Sequence, residues 1–201
     1  EIDGREINVV ATTPMIGEFV RNVGGDNINL TVLMPPEADP HSYEPAPQDA
    51  GTIADADLVF YTGLMYEPSP LVELLENSVC GSEALAEVGE SVFPIEFKEG
   101  GHDDHDDHGE KGHDDHDEEG HDDHDDHGGH EGHGHGAYDP HFWFDPNRVV
   151  YASEFIESKL IELDPSNAAS YQAAGDTYAT ELSSLTAVSY THLRAHETIV
   201  H

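Results

Sequence analysis

Residues 100–136 contain no aliphatic or aromatic residue, and this limits what the whole chain can fold into. The segment holds 11 histidines, 15 acidic residues and one lysine, with glycines between them. It has no apolar surface whose burial could offset the conformational entropy lost on ordering. We therefore predict that 100–136 is disordered without metal, and that the folded part of the chain lies on either side of it.

The histidines of this insertion follow a repeated pattern, in which His-Asp-Asp-His occurs five times. Imidazoles spaced three residues apart among carboxylates suit several loose sites for zinc, nickel or copper. Each site should have low affinity, because binding must order the chain. The alternative is a solvated acidic linker, which would need the acids but not the histidines. The auxiliary metal ligands predicted here are His102, His105, His108, His113, His116, His121, His124, His127, His130, His133 and His135.

One tripeptide occurs on both sides of the insertion, as Asp39-Pro40-His41 and as Asp139-Pro140-His141. Proline fixes its own φ and restricts the residue before it, so each histidine follows a constrained turn. Neutral imidazole is the commonest metal ligand in proteins. Two such histidines flanking a histidine-rich segment make metal binding the leading hypothesis. A single Asp-Pro-His is also typical of a turn with an exposed histidine, and that alternative stays open.

The residues before the insertion alternate between short β-branched runs and helical patterns. Residues 7–12 and 28–33 are predicted to be strands, with a helix between them that begins at a proline and ends at two glycines. Strand, helix and strand at this spacing form a βαβ unit with parallel pairing. A third strand is predicted at 58–62 and a weaker fourth near 84–88. The predicted fold class is therefore α/β, built on a parallel sheet.

Two helices are predicted after the second motif. The first begins at Asp145-Pro146-Asn147 and ends at Leu163, and the second extends from Asn167 to about Ala187. The residues 188–201 depart from the preceding pattern and are predicted to be a non-native tail. A genuine end of the helix, with two surface histidines, is the alternative.

The chain is strongly acidic, with a net charge of −36 from 43 acidic and 7 basic residues. The 15 acids and one lysine of the insertion account for −14 of this charge, so the remainder is acidic too. Such a surface excludes nucleic acid and anionic lipid as partners, since both bind Lys and Arg. It fits a salt-rich habitat, with an ordinary acidic secreted protein as the alternative. The single cysteine, Cys80, cannot form an intrachain disulfide, and it is predicted to be a small buried or half-buried apolar residue.

The stretch from Met34 to Pro45, together with that from Asp139 to Pro146, resembles the zinc/manganese substrate-binding proteins of metal-ion ABC importers. The zinc members of that family carry a histidine- and acid-rich loop between the two motifs, as this chain does. The resemblance covers about residues 5–187. It implies the parallel-sheet first lobe of a bilobal periplasmic-type protein, with a disordered insertion and a C-terminal helical segment. It also implies that the chain is truncated after the first lobe and the bridging helix.

The resemblance divides the chain into four parts. They are an N-terminal α/β metal-binding lobe at 1–99 and 137–163, the His/Asp-rich loop at 100–136, the start of an inter-lobe helix at 164–187, and the tail at 188–201. Without a second lobe, the apolar face of the last helix should be exposed or self-associating. Its apolar residues are Tyr171, Tyr178 and Leu182.

In the resembled family, one metal ion lies between the lobes, and each Asp-Pro-His motif supplies one histidine. Carried over, this implies His41 and His141 as ligands, with the remaining ligands on a second lobe. Two imidazoles leave a four-coordinate zinc half-filled. The carboxylates expected to orient the two imidazoles, with turn and cap chemistry as their alternative role, are Asp39, Glu44, Asp139 and Asp145.

The function implied is that of a non-enzymatic, extracytoplasmic protein that captures zinc and delivers it to an ABC permease. Membrane association would come only through a lipid anchor or the permease, and no signal segment precedes Glu1. Zinc is favoured over manganese because the visible ligands are imidazoles. The alternatives are a manganese-binding homologue and a metal storage or buffering protein that acts through the loop. A zinc hydrolase is disfavoured, because no His-Glu-x-x-His or nucleophile motif is present.

Overall fold

The computed structural model describes residues 5–97 and 137–197, with side chains as far as 188. Its centre is a parallel four-stranded sheet in the order β2-β1-β3-β4. The strands are β1 (Ile7–Ala11), β2 (Ile28–Val32), β3 (Leu58–Tyr61) and β4 (Leu85–Glu87). Both the predicted α/β class and the weakly predicted fourth strand are confirmed. The predicted disorder of 100–136 concerns residues outside the described ranges.

Strand β1 lies in the interior of the sheet, and its sequence accounts for that position. Ile7, Val9, Val10 and Ala11 are all buried, as expected for a parallel strand covered on both faces. Ile7 lies opposite Ile28 of β2, and Val9 lies opposite Leu58 of β3. The edge strand β2 instead alternates between more buried and more exposed residues.

Helices cover both faces of the sheet and divide the core into two clusters. Helix α1 (Pro14–Gly24) packs on one face with α4 (Pro146–Leu163) and α5 (Ala168–Glu197). The other face is covered by α2 (Pro47–Ala54) and α3 (Ser69–Ser78). None of the helices in the described ranges is long and apolar enough to cross a membrane.

Local signals in the sequence set the start and the end of α1. The hydroxyl of Thr13 accepts a hydrogen bond from the backbone N–H of Ile16, and Pro14 occupies the first helical position. Gly25 ends the helix with φ of +55°, a conformation that glycine adopts more readily than other residues. These are the boundaries that the sequence predicts.

The last helix differs from its prediction in two respects. It continues to Glu197, past the predicted end near 187. The prediction that its apolar face is exposed was wrong, because the helix folds back onto α1 and α4. Tyr171 is fully buried and its hydroxyl donates to Asp164 at 2.9 Å, while Tyr178 and Leu182 pack half-buried against the core. The non-native origin of the tail stays a prediction.

A short antiparallel ribbon, absent from the predicted elements, joins the two described ranges. It consists of β5 (Ile95–Glu96) and β6 (Tyr138–Asp139). The backbone N–H of Phe97 donates to the carbonyl of Ala137 at 3.0 Å, next to the undescribed residues 98–136. The ribbon therefore holds together the two points between which the insertion is placed.

Candidate metal site

The first Asp-Pro-His motif lies in the loop that follows β2. The carboxylate of Asp39 accepts the backbone N–H of His41 at 3.0 Å and the hydroxyl of Ser42 at 2.9 Å. The hydroxyl of Tyr43 donates to Asp49 at 3.0 Å, and Asp49 also accepts the backbone N–H of Ala46 at 2.8 Å. The loop is thus fastened at its turn and at the start of α2, which directs His41 beyond the carboxyl edge of the sheet.

The second motif begins at Asp139, the last residue of β6, and leads into α4. Oδ1 of Asp139 accepts the backbone N–H of His141 at 2.9 Å and also contacts Nδ1 of the same imidazole at 2.8 Å. The backbone N–H of His141, and then its ring, hold the pKa of Asp139 below its usual range. An ionised carboxylate can only accept, so Nδ1 carries the ring proton. The lone pair of a neutral His141 is therefore on Nε2, where it is available to a metal.

The structure brings the two histidines together. Their ring centroids lie 6.2 Å apart, with the ring planes inclined at 62°. Two imidazoles bound to one zinc through bonds of about 2.0–2.1 Å have centroids about 5–6 Å apart. The observed separation of 6.2 Å is slightly longer than this range, so the two rings lie near, but not at, the spacing of a pair that shares one ion. The two histidines come from different sheets, since His41 follows β2 of the parallel sheet and His141 follows the ribbon strand β6.

The histidine pair lines a cavity of about 1010 Å³ that also reaches Phe97 at the ribbon. Its aromatic wall contains Tyr66, whose ring centroid lies 4.9 Å from that of His41 and 5.7 Å from that of His141. Trp143 lies 5.1 Å from Tyr66 and 5.2 Å from His141, again edge to face. The sequence motifs predicted the imidazoles and missed the role of these two aromatic rings.

Glu67, beside Tyr66, was also missed. It is only 4% exposed, and its carboxylate accepts the hydroxyl of Thr12 at 2.7 Å and the backbone N–H groups of Thr62 and Gly63 at 2.7 and 2.9 Å. Burial raises the pKa of Glu67, while these hydrogen bonds oppose the rise. The signal that could have found it is its position after β3, at the sheet edge where ligands of α/β proteins bind.

The remaining predicted residues lie elsewhere. Asp145 caps α4 by accepting the backbone N–H of Asn147 at 2.9 Å, and it pairs with Arg148 at 3.5 Å. Glu44 is exposed. Within the described residues, neither carboxylate hydrogen-bonds to an imidazole of the pair. The 11 histidines of the insertion lie outside the described ranges.

The described side chains form no group of three or more His, Cys, Asp or Glu residues arranged to hold a metal ion. Within residues 5–97 and 137–188, the candidate site therefore consists of two imidazoles, one of which is hydrogen-bonded to Asp139. Two imidazoles can ligate a metal ion, and they leave its other coordination positions open.

The family model for zinc-uptake complex component A, periplasmic (ZnuA), matches residues 9–199. The chain belongs to this family, a group of extracytoplasmic substrate-binding proteins of metal ABC transporters and not a class of enzymes. The predicted family resemblance is thereby confirmed.

Two curated relatives illustrate the match. The chain is 32% identical over 185 residues to the manganese ABC transporter substrate-binding lipoprotein scaA of Streptococcus gordonii, covering 90% of this chain and 49% of that protein. It is 26% identical over 185 residues to the manganese-binding lipoprotein MntA of Halalkalibacterium halodurans, covering 91% and 48%. The chain thus spans about half the length of these relatives.

Solved structures share the fold. The periplasmic zinc-binding protein TroA from Treponema pallidum gives a TM-score of 0.68 at 23% identity, covering 92% of this chain and 54% of that one. A crystal structure of ZnuA gives 0.66 at 24% identity, covering 90% and 56%. These similarities extend over nearly the whole chain, and they confirm the α/β lobe architecture.

Proposed function

We propose that this chain is the metal-capturing lobe of an extracytoplasmic protein that binds zinc and delivers it to an ABC permease. The observation that supports this most directly is the 6.2 Å separation of the His41 and His141 rings. His141 presents Nε2, because its Nδ1–H is engaged by Asp139. His41 and His141 are the proposed ligands. A second lobe of the kind that the resemblance implies would supply the others.

Zinc is proposed because of the type of donor in the pair. Imidazole suits zinc, whereas manganese prefers carboxylate, carbonyl and water oxygens. The carboxylate of Asp139 is engaged by the backbone and ring of His141 and is proposed to orient that ligand. Manganese is the second candidate, because relatives such as those from Streptococcus gordonii are named for it.

The insertion is proposed to hold auxiliary metal ions near this site. Phe97, which directly follows β5, and Asp139, the last residue of β6, both line the cavity of the histidine pair. Described residues on either side of the undescribed stretch 98–136 therefore reach this cavity. Weakly held ions there would raise the local metal concentration, and a buffering role for the loop is the alternative. Attachment to the membrane would come through a lipid anchor or the permease.

The single tryptophan provides the test. Because Trp143 lies 5.2 Å from the ring of His141, its fluorescence reports metal binding at the pair in the full chain. Titration with zinc should give one transition in this signal, weaker than that of a closed four-ligand site and tighter than binding to the loose sites of the insertion. His41→Ala and His141→Ala should each shift the transition to a zinc concentration about 100-fold higher or more. His192→Ala, outside both motifs and the insertion, is the matched control and should leave the transition unchanged.

Two results would contradict the proposal. An unchanged transition in His41→Ala would show that the pair does not share the ion. A tighter transition with manganese than with zinc would favour the second candidate.

A further inference from the structure

A turn in an unusual backbone conformation carries Tyr66 into the site. Gly63, Leu64 and Met65 follow β3 with φ of +75°, +54° and +62°, three left-handed residues in succession. Two of them are not glycine, and such residues avoid this region unless the surrounding structure holds them there. The segment 62–67, called here the Tyr66 turn, must therefore be fastened by its neighbours.

Glu67 supplies the first fastening. Its carboxylate accepts the backbone N–H groups of Thr62 and Gly63, at the start of the same turn, and the hydroxyl of Thr12 at the end of β1. The backbone N–H of Tyr66 donates to the carbonyl of Gly63 at 2.9 Å and closes the turn. All three donors to Glu67 are contributed by groups at the carboxyl edge of the sheet, so the carboxylate ties the turn to two strands.

Glu87, the last residue of β4, supplies the second fastening. One of its carboxylate oxygens accepts the backbone N–H of Leu64 at 2.9 Å, and the other accepts the hydroxyl of Tyr61 at 2.9 Å. A side chain at Gly63 would collide with this carboxylate, which explains why glycine fits there. The Tyr66 turn is thus held by Glu67, its own last residue, and by Glu87 of the neighbouring strand β4.

The fastened turn determines where the ring of Tyr66 lies. Tyr66 is 5% exposed, and its ring lies edge to face against those of His41, His141 and Trp143. His141 is also oriented by Asp139, whereas His41 meets the ring of Tyr66 at the shorter distance, 4.9 Å. The position of Tyr66 therefore bears on the separation of the two imidazoles.

We infer that Glu67 and Glu87 are positioning residues for the metal site: they hold the Tyr66 turn, and Tyr66 sets the spacing of His41 and His141. This inference rests on the proposed function, because it assumes that the pair binds the ion. Neither glutamate is assigned as a ligand. Their carboxylates accept hydrogen bonds from the turn, and their effect on the metal passes through the aromatic ring.

The test measures zinc affinity from the midpoint of the Trp143 transition in the full chain, beside thermal unfolding without metal. Tyr66→Ala and Glu67→Ala should each weaken zinc binding by about 10-fold or more, the usual cost of losing a group that orients a ligand. Glu67→Gln, which keeps one acceptor oxygen, should recover part of the loss. Tyr66→Phe, which keeps the ring, should lose less than Tyr66→Ala.

Asp164→Ala is the matched control for a purely structural role. Asp164 is another buried carboxylate, and it accepts the hydroxyl of Tyr171 at the junction of α4 and α5, outside the cavity. This variant should lower the unfolding temperature and leave the zinc midpoint unchanged. If Glu67→Ala does not fold, Glu87→Gln tests the same turn from β4 and should also weaken binding.

Each outcome bears on one of the two proposals. Wild-type affinity in Tyr66→Ala, or an equal loss of affinity in Asp164→Ala, would overturn the positioning role while leaving the ligand assignment intact. A wild-type chain whose transition does not depend on His41 and His141 would instead overturn the proposed function.

Discussion

The two Asp-Pro-His copies have the same tripeptide and different surroundings. In the first, the Asp39 carboxylate accepts the backbone N–H of His41 and the hydroxyl of Ser42. In the second, Asp139 accepts the backbone N–H and the ring Nδ1–H of His141. The shared bond explains why the motif forms the same turn twice. The second bond differs, and in the second copy it leaves the lone pair of a neutral His141 on Nε2.

The two copies also differ in how they are attached to the rest of the fold. The second copy continues into Phe142, which is buried in the core beside Phe19 of α1, so His141 sits on a rigid base. The loop of the first copy is held through Tyr43 and Asp49, and His41 itself packs against Tyr66. In the second copy, the aspartate of the motif therefore orients His141. In the first copy, His41 packs against Tyr66, which lies in the turn after β3.

The largest expected effect is loss of either imidazole. His41→Ala and His141→Ala should each weaken the Trp143-reported zinc site by about 100-fold or more, roughly 2.8 kcal/mol. The double variant should cost little more than either single variant, because two ligands of one ion are not independent. Additive losses in this double-mutant cycle would mean that the two copies do not share a metal.

The two aspartates should differ in a way that their sequence context does not reveal. Asp139→Asn removes the carboxylate that fixes the tautomer of His141, and should weaken zinc binding by about 10-fold or more. Asp39→Asn should weaken it less, because Asp39 holds the turn through the backbone N–H of His41 and the hydroxyl of Ser42. Equal losses of zinc affinity in the two variants, measured by the fluorescence titration, would show that the two aspartates act alike.

A smaller expected effect is on how the stability of the metal-free chain depends on pH. The pKa of Asp139 is lowered from 3.8, first by the backbone N–H of His141. A lowered native pKa gives stability that is present above the unfolded value and is lost as pH falls through the native value. Metal-free Asp139→Asn should therefore be less stable than wild type at pH 6, with the difference vanishing at strongly acidic pH. Thermal unfolding tests this, with Glu181→Gln as the control for loss of one exposed charge.

The sequence predicted those parts of the fold that local patterns determine. The strands from β1 to β4 and the start of α1 follow from apolar runs, a capping threonine and prolines, which act within a few residues. The ribbon was missed because β5 and β6 have two residues each and pair across the insertion. The packing of α5 was missed because the burial of Tyr171 depends on contacts with distant helices.

The site residues also divide into those that a local motif predicts and those that depend on long-range contacts. His41 and His141 were predicted because their motif is local and repeated. Tyr66 and Glu67 were missed because their placement depends on a left-handed turn and on carboxylate contacts between strands. A carboxylate such as Glu67, surrounded by backbone donors, has the same letter in the sequence as an exposed surface glutamate.

The smallest expected effect at the histidine pair comes from deleting the insertion that separates the two copies. Phe97 and Ala137 are already hydrogen-bonded at 3.0 Å, so a short Gly/Ser connector can replace residues 100–136. We expect the unfolding temperature and the midpoint of the Trp143 transition to stay unchanged, because the sheet edge and the Tyr66 turn hold the imidazoles together. The total number of weakly bound zinc ions should fall sharply in calorimetric titration.

The control for this deletion is an insertion of full length in which glycine replaces every histidine and the acids are kept. It separates the contribution of the imidazoles from that of charge. Loss of the tight transition on deletion would mean that the insertion, and not the fold, brings the two copies of the motif to one metal ion.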